Sequence, residues 1–370
     1  MKILLVTGSF PPMHCGVGDY AARLSIELAR DPKIQVSVLS SKIDPLPPSE
    51  PAIRVLRTVS TWESAVIGEF RRVAHQVRPD LVHVQFPTQG YNTADGLVAI
   101  VRETRQRLRL PVVATLHEFI PRGFTKPERA ILWIALRANK LVAVRPGFHR
   151  NMPWYAKAVI RRSKVEFIAN ASVIPRAQID QDERTQIRAR LDRDSRKLVT
   201  FFGFAYPAKG VDLLFDIADP AQHHLLLICD LSIGDPYHAK LRALAESERW
   251  KGSVTLAGFA GTEEVARLLA ASDAAVFPYR DGGGPWNSSL HAAMTQDTFV
   301  LTTSSARKGY DTETNTYYTA PSDVAEMRRA LLQYAGVRRQ RGAGEGDPWQ
   351  KIAARHKDLY LSLLSGGQRP

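Results

Sequence analysis

Short apolar runs without polar alternation recur along this chain, separated by stretches of helical spacing, and the series occurs twice. The first set is "KILLVT" (2–7), "QVSVLS" (35–40), "DLVHVQF" (80–86), "PVVATL" (111–116) and "KLVAV" (140–144). Runs of that kind suit strands buried on both faces, as in a parallel sheet. "GDYAARLSIELAR", "ESAVIGEFRRVAHQV" and "DGLVAIVRETRQRLR" lie between them and carry apolar residues at helical spacing. After a polar, charged stretch near 176–196 the pattern restarts with "KLVTFFG" (197–203), "HLLLICD" (224–230), "SVTLAG" (253–258), "AAVFPY" (274–279) and "TFVLTT" (298–303). The alternation predicts an α/β protein of two doubly wound, Rossmann-like domains, over residues 1–178 and 179–346. Beyond a Gly- and Arg-rich stretch, "DPWQKIAARHKDLYLSLL" reads as a closing helix, with Asp347 as N-cap and Pro348 at the first helical position.

Charge narrows the partners. The 370 residues hold 50 Lys and Arg against 37 Asp and Glu, a formal charge of +13. Such an excess suits either a solvated arginine-rich surface or an acidic partner: nucleotide phosphates, an anionic membrane surface or nucleic acid. The reading adopted here is nucleotide phosphate, with peripheral contact to an anionic membrane as an addition and no nucleic acid. "MPWYAKAVIRRSK" (152–164) mixes aromatic and basic residues in a way that suits either lipid or a helix packed inward. Cys15 and Cys229 do not make a disulfide framework, no apolar run reaches a membrane span, and no signal peptide is visible. A cytoplasmic protein is expected, with the inner membrane face as a possible station.

Loops at the carboxyl ends of the runs carry the candidate chemistry. In "TGSFPPMHCGVGDY" (7–20), two prolines precede Gly16 and Gly18 at the start of a helix. The prolines would hold the loop out rigidly and the glycines would let an anion approach backbone N–H groups at the helix start. His83 in "HVQF" and His117 in "ATLHEF" sit at or near strand ends, the edge that lines ligand crevices in open α/β sheets. Lys209 precedes Gly210 on a turn after a strand, where it could act as a point charge on phosphate. "FPYRDGGGPWNSSLHAAM" (277–294) runs from a strand through Asp281, Gly282, Gly283 and Gly284 into a helix, and three glycines there suit close approach to the backbone. No cluster with metal-ligand spacing stands out, and "DRD" (192–194) reads as a solvated helical segment.

Taken in order, these pieces resemble the retaining GT-B glycosyltransferases of family 4. "PPMHCGVGDY", "ATLHEF", "FFGFAYPAKGVDLL", "SVTLAGFAGTEEVARLLAASDAAVFPY", the glycine loop with "LHAAM", and "FVLTT" carry the resemblance over nearly the whole chain. It implies two Rossmann-like domains facing across a cleft, the first for the acceptor and the second for a nucleotide-sugar donor. It also implies a final helix, 347–370, that crosses back to the first domain. By resemblance, Gly16 and Gly18 would lie against the donor diphosphate, His117 beside the transferred sugar, and Lys209 on the leaving phosphates. Asp281 and the amides of Gly282, Gly283 and Gly284 would grip the donor, with His83, Glu118 and Asp19 as candidate acceptor or sugar contacts. A UDP- or GDP-sugar would serve as co-substrate, with no metal and no cofactor.

Two departures from that pattern stand out. The family's arginine shortly before the lysine is missing: Phe204, Ala205, Tyr206, Pro207 and Ala208 fill the gap between Gly203 and Lys209. Of the two glutamates eight positions apart, the first is Asp281 and the second is Ser289, or Ala292 in the register set by Ala293–Met294. Asn287, Ser288 or Ser289 would then hold the ribose by neutral hydrogen bonds. The departures favour a rival reading, a scaffold of the same fold that has lost catalysis, whereas Lys209, His117, Asp281 and the glycine loops oppose it. A nicotinamide dehydrogenase is disfavoured because about eight residues separate the first strand from Gly16, and Asp44 lies well past the second strand.

Overall fold

Two parallel sheets carry the chain, each in its own unit. The structure is a computed structural model and describes residues 1–45, 52–91, 93–120, 126–191, 196–284, 286–339 and 346–365; "DRD" (192–194) lies outside these. One unit comprises Met1–Asn170 with Gly346–Pro370, the other Ala171–Glu345. The division falls before 178 because Val173 and Ile174 already pack into the second unit's core.

Among the described residues, the first unit holds β1 (Lys2–Val6), β2 (Gln35–Ser41), β3 (Arg54–Val59), β4 (Leu81–Phe86), β5 (Val112–Leu116), β6 (Lys140–Ala143) and β7 (Val165–Phe167). They pair in parallel in the order β3-β2-β1-β4-β5-β6-β7. All six residues of β4 are buried, which explains the unbroken apolar character of the central runs. Strands β3 and β7 do not show in the apolar pattern because they form the sheet's edges; "RVLRTV" carries two arginines and stays half-buried along most of its length.

The helix Gly16–Ala29 and the terminal helix Pro348–Ser365 pack together on this unit. Asp347 caps the terminal helix, its Oδ1 accepting from Trp349 N at 2.9 Å, while its Oδ2 lies 2.5 Å from Arg23. Trp349, Ile352, Ala353, His356, Leu359 and Tyr360 form the buried stripe. At roughly 1.5–3 kcal/mol for each large apolar side chain removed from water, that stripe rather than intrinsic helicity holds the terminal helix down. Lys357 to Asp31, at 2.6 Å, and Arg355 to Glu166 add exposed ion pairs of small value.

The second unit repeats the scheme with β8 (Lys197–Phe202), β9 (His223–Ile228), β10 (Val254–Leu256), β11 (Ala274–Phe277), β12 (Phe299–Thr303), β13 (Gly309–Asp311) and β14 (Thr316–Thr319). Its order is β10-β9-β8-β11-β12-β14-β13, parallel except for the β13–β14 pair. The order reverses at β8/β11, as it does at β1/β4 in the first unit, and the carboxyl ends of such strands are where open α/β sheets bind their ligands. No helix among the described residues is long and apolar enough to cross a membrane.

Candidate active site

At the first unit's switch point, the proline elbow is fastened to the body of the unit. Arg57 donates to the carbonyls of Phe10 and Pro11, its guanidinium over the Phe10 ring, and Thr7 Oγ1 donates to Ser9 O at 2.8 Å. The elbow then folds back on the helix it introduces. A Cβ at Gly18 would lie 2.9 Å from Ser9 O. Gly18 is buried, and the close approach that its missing Cβ allows is made by the protein's own backbone. Gly16 is exposed with open space at its Cα and begins the helix. Asp19, in the same first turn, has its pKa raised to about 6 by burial, against the opposing pull of His14.

His117 follows β5 and is partly buried. Its Nε2 lies 2.9 Å from Gln85 Oε1, its ring and that of Tyr20 stand nearly perpendicular with centroids 5.0 Å apart, and Arg145 Nε donates to its carbonyl at 3.3 Å. Burial, then the Arg145 charge, then His356 bring its pKa down to about 3, so the ring is neutral at physiological pH. Glu118, the next residue, is exposed.

His83 does not reach the edge, which corrects its expected role as a sugar or acceptor contact. It is fully buried inside β4, with Nε2 2.7 Å from Thr115 Oγ1 and Nδ1 2.7 Å from Tyr360 Oη of the terminal helix. Both ring nitrogens are occupied by the protein itself, so His83 serves the interior. Polar residues at alternate positions in "HVQF" and "ATLH" were a signal for this: His83, Gln85, Thr115 and His117 share one face of the sheet.

In the second unit, Lys209 stands on a short 3₁₀ turn after β8. Its Nζ lies 4.4 Å from the Tyr279 ring centroid and 5.3 Å from that of Tyr206. Arg280, which sequence reasoning passed over, fixes this turn from the loop after β11. It donates from its backbone N to Ala208 O, from Nε to Pro207 O, and from its guanidinium to both carboxylate oxygens of Asp212. Burial works against the Asp212 carboxylate, but hydrogen bonds from Lys240 and Tyr237 and the charge of Arg280 hold its pKa below the usual range. The cation missing before Lys209 in sequence thus arrives at the same turn from residue 280, already paired with Asp212.

The glycine loop holds a second correction. Gly282 N donates to Tyr279 O, Gly283 N to Thr303 O at 2.7 Å, and Gly284 N to Asn287 Oδ1 at 2.9 Å. The three amides expected to face phosphate are therefore satisfied by the protein itself, two within the loop and its helix start and one on the end of β12. What crowds the backbone here is the chain itself, since a Cβ at Gly283 would lie 2.6 Å from the Tyr279 ring. Asn287 spends Oδ1 on this loop, and the Ser289 hydroxyl, which bonds the Tyr279 side chain, lies 2.7 Å from where a Cβ on Gly203 would stand. Asn287 precedes the helix Ser288–Thr295, whose Ser288 is half-buried, while Asp281 is exposed at the loop's start. Among the described residues, no group of three or more His, Cys, Asp or Glu is arranged to hold a metal ion.

The buried histidines imply a pH dependence of stability. His83 and His356 are both fully buried. Burial first, then the neighbouring His356 and His117, hold His83 well below its usual pKa. Burial, with a smaller push from Arg355, brings His356 to about 4 despite the bond to Ile352 O. As pH falls below about 6.5 the unfolded chain takes up protons that the folded chain refuses, so stability falls, by about 1.4 kcal/mol per pH unit for each such histidine. Urea midpoints measured from pH 7 to 5 should decline, with a shallower slope in His356→Gln; equal slopes would show that His356 is not held neutral.

Comparison with known proteins follows the same division. The model of Glycosyltransferase Family 4 matches residues 15–171, and that of Glycosyl transferases group 1 matches residues 196–336. None of the curated proteins matches by sequence. Among solved structures, sucrose-phosphate synthase from Thermosynechococcus elongatus is similar at 16% identity and a TM-score of 0.74, over 99% of this chain and 100% of that one. HepE from Anabaena, solved in complex with UDP-glucose, is 17% identical with a TM-score of 0.67, over 99% and 98% of the two chains. UDP-GlcNAc 2-epimerase from Methanocaldococcus jannaschii is 12% identical with a TM-score of 0.61, over 98% and 100%. At such identities the likeness speaks to fold alone, and an epimerase among the neighbours means that fold does not dictate reaction. The two family models, which together span most of the chain, supply the activity: the chain belongs to the family 4 glycosyltransferases and has their two-domain GT-B fold.

Proposed function

We propose that the chain transfers a sugar from a uridine-diphosphate sugar, or its guanosine counterpart, to a hydroxyl acceptor, with retention at the anomeric carbon and without a metal. The observation that carries the reading is Lys209, held against Tyr279 and Tyr206 at the β8/β11 switch point. Similarity to HepE, solved with UDP-glucose, supports the donor class. In the transfer, the bond from the anomeric carbon to the diphosphate oxygen breaks and its electron pair leaves with the nucleoside diphosphate. The acceptor oxygen forms the new bond and passes its proton to the departing diphosphate oxygen, which holds the released electron pair. Lys209 stabilises the charge growing on the leaving group, aided by the amides that open the helix Ser288–Thr295. Asp281 holds the sugar's hydroxyls, and the neutral His117 is a further contact of the transferred sugar in this reading. Ser288 takes over ribose binding, since Asn287 and Ser289 are engaged within the protein.

Lys209→Ala should lower kcat about 10²- to 10³-fold, roughly 3–4 kcal/mol of transition-state stabilisation, with the fold intact. EDTA should leave wild-type turnover unchanged. Wild-type rates in Lys209→Ala, or chelation losses restored by magnesium or manganese, would reject this site; no turnover of the wild type with any nucleotide sugar would favour the inactive scaffold.

A peripheral membrane role for the first unit is part of the proposal. Trp154 is 81% exposed and Val159 56%, beside exposed Lys157, Arg161 and Arg162, while Ala156 and Ile160 pack inward. The protein should co-sediment with vesicles containing phosphatidylglycerol, less so at high salt or in Trp154→Ala. Equal, salt-insensitive binding to neutral vesicles, or none, would remove this part.

A further inference from the structure

A continuous line of hydrogen bonds runs from His117 into the interior of the first unit and ends on the terminal helix. His117 Nε2 is 2.9 Å from Gln85 Oε1. Gln85 Nε2 is 3.2 Å from His83 Nε2, and His83 Nδ1 is 2.7 Å from Tyr360 Oη. Gln85, His83 and Tyr360 are wholly buried, so water does not compete for these groups.

The atom types set a direction. An amide oxygen only accepts, so His117 must donate from Nε2. An amide nitrogen only donates, so His83 Nε2 must accept. A neutral His83 then carries its proton on Nδ1 and donates it to Tyr360 Oη. Thr115 Oγ1, 2.7 Å from His83 Nε2, can donate to the same lone pair. The reverse order would require the Gln85 amide to turn over, His83 to move its proton to Nε2, and His117 to move its proton to Nδ1. One change at either end therefore propagates along the whole line.

We propose that Tyr360 is a positioning residue: by accepting the hydrogen bond from His83 Nδ1–H it fixes His117 as the Nε2–H tautomer and leaves Nδ1 as a hydrogen-bond acceptor at the strand edge. Nδ1 makes no hydrogen bond among the described residues. An imidazole held this way recognises a hydroxyl that donates, as a sugar hydroxyl does, and not a phosphate oxygen. That last step rests on the function proposed above; the tautomer itself does not. The terminal helix thereby has a task at the site besides covering the core. Its His356 makes a second tie to the same region, donating from Nδ1 to Ile352 O at 2.8 Å and accepting from Tyr20 Oη at 3.5 Å.

Tyr360→Phe removes one oxygen from the line. His83 Nδ1–H would then be a buried donor without an acceptor, which is costlier than a buried lone pair, and the reversed order gains ground. The test is long-range proton–nitrogen correlation NMR on the full-length protein with labelled histidine, the His117 signals being assigned with His117→Gln. In the wild type, His117 should be the Nε2–H tautomer at pH 7, and in a folded Tyr360→Phe the Nδ1–H form should appear. Gln85→Leu, which interrupts the line midway, should also release the tautomer with Tyr360 still in place. A wild-type His117 protonated on Nδ1, or a single unchanged tautomer in either variant, would overturn the proposal. These readouts hold whether or not transfer is detected. Should transfer occur, Tyr360→Phe should weaken kcat/KM for the sugar donor while the affinity for UDP alone stays unchanged.

Discussion

A central strand in a parallel sheet is covered on both faces, and that burial governs much of this protein. Any polar side chain on β4 or β5 must find its partners inside, because water is excluded and an unmet buried polar group costs about 1–3 kcal/mol. His83, Gln85 and Thr115 meet this demand through one another and through Tyr360. The terminal helix is thus both a lid on apolar surface and the last member of a polar network. Truncating it would expose the stripe from Trp349 to Tyr360 and leave His83 without an acceptor.

The same constraint pushes ligand chemistry to the strands' carboxyl ends, where the loops must be stiff without regular structure. The second unit solves this by turning loop amides inward, and the first by tying its elbow's carbonyls to Arg57. In the glycine loop, bonds to Tyr279 O, Thr303 O and Asn287 Oδ1 consume the three glycine amides. In the proposed reading a ligand here would meet a cation that lies on aromatic rings, an exposed carboxylate and the first amides of a helix. Arg280 holds that cation's turn through Asp212, so a change at Arg280 should reach Lys209 although the arginine is already paired.

The architecture was legible because central parallel strands are continuous apolar runs, and nearly every strand read this way is central in the structure. Three edge strands, β3, β7 and β13, escaped because they are partly exposed and carry mixed residues such as Arg54, Arg57 and Glu166, whereas the edge strand β10 was read from "SVTLAG" and the interior β14, rich in Thr and Tyr, was not. At the site, residue types on loops could be read, but the use to which each group is put could not. Gly18 and Gly283 look the same in sequence whether a ligand or their own chain approaches them. His83 looked like His117 because both stand in β-rich runs, and only the packing of Tyr360, 277 positions away, separates a core histidine from an edge one. Arg280 was hidden likewise, since its partner Asp212 is 68 residues distant.

The central claim is that a nucleoside diphosphate binds at the β8/β11 switch point, on the turn of Lys209 and the start of the helix Ser288–Thr295. Hydrogen–deuterium exchange of the full chain, with and without saturating UDP or GDP, tests it most directly. The account predicts slowed exchange in residues 203–210 and 286–291, and none at the opposite end of the same sheet, residues 270–273. Protection confined to other segments, or absent with both nucleotides, would contradict it.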